Sequence, residues 1–207
     1  MENTANRAEL CGSFATLPKL SHENHGQKFY EFYLEVARLS GNADVLRVIA
    51  PEKLLMQTDL TEGDMLFVQG QVRSYNERTD TGHRLRVFVY AEHLDCRAGE
   101  ARNDIFLTGA VCKPPVYRRT PLGREICDLM LAVPRSYRRT DYLPTITWGR
   151  TARLASHCKP GDQLELLGRL QSREYFKVTP DGTEQRTTYE ISALSAQFLE
   201  DIREIIV

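Results

Sequence analysis

Aromatic and basic side chains stand side by side repeatedly in the second half of this chain: Tyr117-Arg118-Arg119, Arg135-Ser136-Tyr137-Arg138-Arg139, Tyr142, Trp148-Gly149-Arg150 and Arg173-Glu174-Tyr175-Phe176-Lys177. The chemistry open to this mixture is recognition of a flexible polyanion with flat groups on it. Aromatic faces stack nucleobases for about 1 to 3 kcal/mol each, cations follow the phosphate backbone, and neither interaction reads a sequence. Charge is sorted the same way. Residues 1–100 hold 11 Lys+Arg against 15 Asp+Glu, a net of −4, whereas residues 101–207 hold 16 against 13, a net of +3. Thirteen of those 16 bases are arginine, whose planar fork suits phosphate and whose flat face suits stacking. A mixed solvated surface is the competing reading of the charge.

For the aromatics, the competing reading is burial in a core. Alternation opposes it in one strand. If Leu143 and Thr145 face one side, then Tyr142, Ile146 and Trp148 do not share that side. Trp148 further stands at a strand end beside glycine and arginine, a place open to solvent. Phe176 fits either role.

The elements that must carry these residues are given by an internal repeat. Residues 9–38 return at 106–135 with a constant offset of 97: Gly12 as Gly109, Gly26 as Gly123, Glu31 as Asp128, Leu34 as Leu131, Val36 as Val133 and Arg38 as Arg135. After one inserted residue the offset is 98, matching Glu62-Gly63-Asp64 to Pro160-Gly161-Asp162 and Gly70 to Gly168. A period near 100 residues has the size of one small domain, too long for a solenoid unit. The chain therefore divides into 1–98, 103–199 and a short tail at 200–207.

Both copies read as β, with alternating apolar runs bounded by glycine, proline and polar turns. In the second copy the spacing predicts strands at 105–112, 125–133, 142–148, 163–172 and 187–198, with a turn at Leu122-Gly123-Arg124. A short helix is predicted over 150–157 between the third and fourth strands, with a counterpart at 52–58. The fold class is all-β. Five strands with a helix after the third describe the OB barrel, a partly open Greek key, although other small barrels share the pattern. Gly70 and Gly168 fall within the fourth strand, where a barrel bends or accepts close backbone packing. Polar excursions around Thr81-Gly82 and Pro180-Asp181-Gly182 predict a protruding hairpin in each copy.

Other chemistries are poorly supplied. Five cysteines without a C-x-x-C pair argue against a disulfide framework or zinc ribbon, and His22-x-x-His25 lacks further ligands nearby, so no metal and no cofactor is assigned. Asp141, Asp162 and Asp181 lie in predicted turns with no ordered His or Ser partner, and turn and cap duty accounts for them; an enzyme is not expected. With no long apolar run and a polar start, a cytoplasmic location without membrane contact is the expectation.

The second copy resembles the bacterial single-stranded DNA-binding proteins. The likeness runs from Asn103-Asp104-Ile105-Phe106-Leu107-Thr108-Gly109 through Asp128-Leu129-Met130-Leu131-Ala132-Val133, Tyr142-Leu143-Pro144-Thr145-Ile146-Thr147-Trp148-Gly149-Arg150, Pro160-Gly161-Asp162 and Leu167-Gly168-Arg169-Leu170-Gln171-Ser172-Arg173 to Gln197-Phe198-Leu199. No single block decides it; the order and spacing do. It implies OB folds that bind single-stranded DNA without sequence preference in replication, recombination or repair, close to the nucleoid. The family's stacking positions fall on Tyr137, Tyr142, Trp148 and Tyr175. Tyr117, Phe176, Arg118, Arg119, Arg138, Arg139, Arg150, Arg173 and Lys177 complete the expected contact set. In the first copy Val45, Pro51 and Ser40 replace Tyr142, Trp148 and Tyr137, leaving Tyr75 and Arg73 for weak contact.

The resemblance also implies a homodimer, since members with two OB folds per chain pair to give four. Two departures stand out. Pro144 within the third strand calls for an edge or bulge. The sequence closes on Glu200-Asp201-Ile202-Arg203-Glu204-Ile205-Ile206-Val207 without the acidic tip through which the family recruits replication and repair enzymes, leaving that recruitment in doubt. The alternative class is an OB-fold accessory factor of primosome type, or a protein-protein adaptor.

Overall fold

The computed structural model describes residues 5–79, 82–96, 99–179 and 182–199, apart from the side chains of Lys177 and Thr179. The first repeat carries β1 (Asn6–Phe14), β2 (Lys19–Asn24), β3 (Gln27–Ala37), β4 (Ala43–Pro51), α1 (Glu52–Met56), β5 (Met65–Thr79) and β6 (Gly82–Cys96). The second carries β7 (Arg102–Val111), β8 (Val116–Arg119), β9 (Glu125–Arg135), β10 (Arg139–Trp148), α2 (Gly149–Ala155), β11 (Gln163–Thr179) and β12 (Gly182–Phe198). Each helix falls between the third and fourth strands of the barrel, where the sequence put it. The polar excursions are straight continuations of the fourth and fifth strands, so β5, β6, β11 and β12 run longer than their apolar cores. Of the residues expected at the hairpin turns, Thr81, Pro180 and Asp181 lie outside the described residues, as does the 200–207 tail.

By packing, the chain forms one compact unit built on Arg7–Ile105 with Leu170–Glu190, and another built on Phe106–Arg169 with the part of β12 from Ile191 onward. In the Arg7–Ile105 unit the pairings run in a ring. β1 meets β3 and β5 antiparallel, β3 meets β4, β5 meets β6, and β4 meets β6 parallel at Val48↔Val89 and Ile49↔Tyr90. Alternate residues of these strands point inward, and Leu10, Phe14, Phe32, Leu34, Leu46, Val48, Leu66 and Val89 are fully buried. Phe14 and Phe32 meet edge to face with centroids 5.4 Å apart.

The Phe106–Arg169 unit repeats the scheme. β9 pairs with β7 at Ala110↔Ala132 and with β10 along the whole strand, and β10 meets β12 parallel at Thr145↔Ile191. Leu107, Leu131, Leu143 and Leu164 fill its centre, and α2 buries Ala152 and Ala155 beneath it. The repeated glycines are places where backbones touch. A Cβ on Gly12 would stand 2.4 Å from the Glu35 carbonyl oxygen, and one on Gly109 would stand 2.8 Å from that of Ala132. At Gly70 and Gly168 the obstructing oxygens, Tyr90 and Ser192, are 2.0 Å and 2.5 Å away.

The structure answers one expectation and corrects another. Of the edge or bulge expected at Pro144 it shows the edge: β9 and β10 stay in register through Pro144↔Met130, and the pairing of β10 with β12 is at Thr145 and Ile146. Met130 turns its carbonyl toward the Cys112 N–H (2.9 Å), so this is a non-hydrogen-bonded pair and the missing donor faces away from β9. Asp141 is not a turn residue. It lies in β10, fully buried, with Arg135 at 3.3 Å. Asp162 does hold a turn, accepting the Lys159 N–H at 2.7 Å.

Candidate nucleic-acid interface

β10 sorts its residues by parity. Leu143, Thr145 and Thr147 are buried, while Tyr142 is 45% and Trp148 38% exposed on the opposite face. Ile146, in that outward register, is nonetheless covered at 5% exposure. At roughly 3.3 Å per residue, Tyr142 and Trp148 stand about 20 Å apart along one strand, a span for several extended nucleotides. The indole is held in place: Trp148 Nε1 donates to Ser192 Oγ at 3.3 Å. Gly149, at φ +54°, turns the chain straight into α2 behind the tryptophan.

Between β9 and β10 the chain reverses through Tyr137 (φ +60°) and Arg138 (φ +56°). Two successive non-glycine residues in the left-handed region cost about 1 to 2 kcal/mol each, a strain typical of functional loops. The turn holds Tyr137 out at 95% exposure, with Arg138 and Arg139 exposed beside it. None of the ion pairs among the described residues involves Arg138, Arg139 or Arg150.

Tyr117, Arg118 and Arg119 lie on β8, a fully exposed strand not expected from the sequence. Arg118 pairs with Asp128 at 2.7 Å, and Arg119 and Arg153 converge on Glu125 at 3.4 and 3.2 Å. The Tyr117 hydroxyl donates to Glu125 at 2.7 Å, and this bond first, then the arginine charges, holds the Glu125 carboxyl below its usual range. Such exposed pairs are worth at most about 1 kcal/mol, so they yield readily to phosphate.

The remaining expected residues belong to the Arg7–Ile105 unit. Tyr175 and Phe176 are 36% and 72% exposed on β11, and Arg173 is exposed beside them; the Lys177 side chain lies outside the described residues. In the first repeat, Arg73 rests over the Tyr90 ring at 3.7 Å, and Tyr75 meets Phe88 edge-on at 5.9 Å. The outward face of β4 carries an ion pair, Arg47 Nε to Glu31 at 2.6 Å, where the second repeat has Pro144 and Asp128. These side chains are committed to one another, in line with the loss of aromatics at Val45 and Pro51.

Sequence reasoning missed the buried carboxylate at the base of this unit. Asp44, 1% exposed, accepts from Arg38 Nε at 2.7 Å and from the Ser172 N–H at 2.8 Å, while the Val45 N–H donates to Ser172 Oγ at 3.1 Å. The signal was present, because Arg38 and Asp44 recur as Arg135 and Asp141 at the same spacing.

Residues 102–199 match the family described as Single-strand binding protein family. Single-stranded DNA-binding protein B of Bacillus subtilis (strain 168) is 32% identical over 80 residues, covering 35% of this chain and 71% of that protein. The chain belongs to the single-strand binding protein family. Membership makes it a non-enzymatic protein, and the two-OB architecture extends to relatives matched along nearly the whole chain. The single-stranded DNA-binding protein of Thermus thermophilus is 25% identical over 224 residues, 94% of this chain and 84% of its own length. The crystal structure of the wild-type Thermus aquaticus protein superposes with a TM-score of 0.76 at 25% identity, covering 95% of this chain and 93% of that one. A deletion mutant of the same protein gives 0.77 at 26% identity, covering 98% of each chain.

Proposed function

We propose that this family member binds single-stranded DNA without sequence preference and protects it during replication, recombination or repair. Bases stack on Trp148, Tyr142 and Tyr137, with Tyr117 beside them, while Arg118, Arg119, Arg138, Arg139 and Arg150 neutralise phosphates. Tyr175, Phe176, Arg173 and Lys177 on the second hairpin supply further contacts. The supporting observation is Trp148 and Tyr142 exposed on one face of β10, with exposed arginines at both ends of that strand. The family, and relatives whose names state single-stranded DNA binding, agree with it.

On this reading the chain is two OB folds, 1–98 and 103–199, with the first kept for assembly or for modest extra contact with DNA, and two chains pair to give four folds. Its place is the cytoplasm, at the nucleoid. One observation favours the adaptor alternative for the first repeat: on β4, Val45 and Pro51 stand where β10 carries Tyr142 and Trp148.

Titration with oligo(dT) at low and high salt, following fluorescence of Trp148, the lone tryptophan, tests the proposal. Quenching that weakens as salt rises supports it. Absence of quenching together with absence of binding by anisotropy overturns it in favour of the adaptor reading.

A further inference from the structure

The β11–β12 arm, Leu170–Glu190, comes from the second repeat yet packs within the Arg7–Ile105 unit. At its root one residue, Ser172, meets the first repeat through each of its three polar groups. Its N–H donates to Asp44 Oδ1 at 2.8 Å, its carbonyl accepts from a terminal nitrogen of Arg38 at 3.3 Å, and its Oγ accepts the Val45 N–H at 3.1 Å. Arg38 also binds the Asp44 carboxylate, through Nε at 2.7 Å and through that same terminal nitrogen, so one ion pair grips both backbone groups of Ser172. Asp44 is 1% exposed. A backbone N–H bonded to a carboxylate shut away from water is among the stronger hydrogen bonds of a fold.

The returning strand of the arm is seated on the first repeat as well. The Thr187 carbonyl accepts from Arg84 at 3.2 Å. Tyr189 is half-buried near Tyr33, Arg47, Glu31 and Arg86, and burial first, then Tyr33, pushes its hydroxyl above the usual tyrosine range. These contacts hold the arm down, while Ser172 sets its heading. Neighbours in an extended strand point to opposite faces, and next-but-one residues share a face. With the Ser172 side chain turned to Val45, Arg173 and Tyr175 share the opposite face of β11, and both are exposed. The three side chains of this fastening recur in the sequence: Ser172 answers Ser74 at an offset of 98, and Arg135 and Asp141 answer Arg38 and Asp44 at 97. They are retained although the outward residues of β4 and β10 have diverged.

We propose that Asp44 is a positioning residue for DNA binding: with Arg38 it fixes Ser172, and Ser172 sets the direction in which the arm presents Arg173 and Tyr175. The inference rests on the proposed function, which puts those two side chains on DNA, and adds to it the part played by the first repeat. Asp44 itself touches no DNA, because it is buried and its carboxylate is taken up by Arg38 and Ser172. A repeat without an aromatic platform thereby acts on binding through side chains that belong to the other repeat.

The test is a double-mutant cycle on the full-length protein, with affinity for labelled oligo(dT) read by anisotropy well below the melting midpoint of each variant. One axis is Asp44→Asn and the other is Arg173→Gln together with Tyr175→Ala. Losing the base stacked on Tyr175 alone lowers affinity about 5- to 150-fold. Asp44→Asn in the parent is expected to cause a loss of the same order. In the Arg173→Gln, Tyr175→Ala background it is expected to change affinity by less than about 2-fold, because nothing is left to position. A second pair of variants leaves the buried charge untouched and decides the matter if Asp44→Asn fails to fold. Ser172→Val removes the Oγ acceptor and is expected to weaken binding about 2- to 10-fold, the effect of one hydrogen bond, and only when Arg173 and Tyr175 are present. Ser172→Thr has the shape of that variant but keeps the hydroxyl, and binds within about 2-fold of the parent. A substitution that merely loosens the fold shows the same loss in both backgrounds, so additivity overturns the positioning role and leaves the proposed function standing. Parent-like binding by folded Asp44→Asn and Ser172→Val does the same. Parent-like binding by Arg173→Gln, Tyr175→Ala overturns it too, since the arm then presents nothing to DNA. Absence of oligo(dT) binding by the parent strikes the proposed function, and the positioning role with it.

Discussion

Trp148→Ala isolates the stacking term, because the tryptophan carries no charge and meets solvent through one side. The indole is 38% exposed and tethered through Nε1 to Ser192, so the proposed stacking is taken as one base on this ring. A single stacked base is worth about 1 to 3 kcal/mol, which converts to roughly a 5- to 150-fold loss in affinity. Trp148→Phe keeps a flat ring and loses only the Ser192 bond, so the expected loss is within about 5-fold. With the fluorophore removed, the assay is anisotropy of labelled oligo(dT), repeated across a salt series. The salt slope is the discriminating reading. Removing a neutral aromatic leaves the number of neutralised phosphates unchanged, so affinity drops at every salt concentration while the slope stays the same. Truncating a ring that is mostly covered also leaves a cavity, so melting of the variant must be followed and binding measured well below its midpoint. A folded Trp148→Ala protein that binds within about 2-fold of the parent refutes the stacking argument. A loss accompanied by a shallower slope refutes it equally, by showing that the substitution disturbed the cations instead.

Asp44→Asn breaks a buried pair and is expected to cost about 3 kcal/mol, the low end for such pairs because Arg38 keeps 21% of its side-chain surface exposed. That corresponds to a melting midpoint lower by about 6 to 12 °C, whereas Arg118→Gln on the exposed Asp128 pair shifts it by less than about 4 °C; calorimetry on both reads the difference. Gly168→Ala drives a Cβ to 2.5 Å from the Ser192 carbonyl oxygen, and a cost of about 1 to 3 kcal/mol is expected in urea melts; a neutral result would mean that the strand relaxes freely. Burial, with help from Asp162, pushes the Cys158 thiol up to about 11. Only about one part in a thousand is then thiolate at pH 8, so native Cys158 resists a thiol reagent that labels exposed Cys96 on the same sample. Since the folded value lies above the ordinary thiol value of 9.0, this contribution to stability is fully present below pH 9 and lost as pH rises through 11; a stability series from pH 8 to 11 that rises instead contradicts it.

The fold was legible because the barrel's constraints fall on residue types that resist substitution. Gly12 and Gly109, Gly70 and Gly168 recur because a neighbouring carbonyl occupies the space of a side chain, and an alignment offset detects that without knowledge of the partner strand. Tyr142 and Trp148 were legible from parity alone, since burial of Leu143 and Thr145 forces their neighbours outward. Parity misjudged Ile146, which is outward in register yet covered, because it reports direction and says nothing of what lies above the strand. Pairing was harder to read. That Arg118 meets Asp128 and Arg119 meets Glu125 depends on β8, a four-residue strand with no buried face and hence no apolar alternation to announce it. Asp141 read as a turn residue because carboxylates usually are. Its burial depends on Arg135, six residues away across the Tyr137 turn.

The two repeats show which parts of an OB fold are free to diverge. In a strand, alternate residues answer to different demands: the inward set to the core and the outward set to whatever meets the surface. Between β4 and β10 the inward positions keep their character, with Asp44 and Asp141, Leu46 and Leu143, Val48 and Thr145 all buried. The outward positions change from Tyr142, Pro144 and Trp148 to Val45, Arg47 and Pro51, and the charge of the halves changes sign with them. A pattern divided so cleanly by parity is what the proposed function predicts, with core packing acting on both copies and base stacking on one.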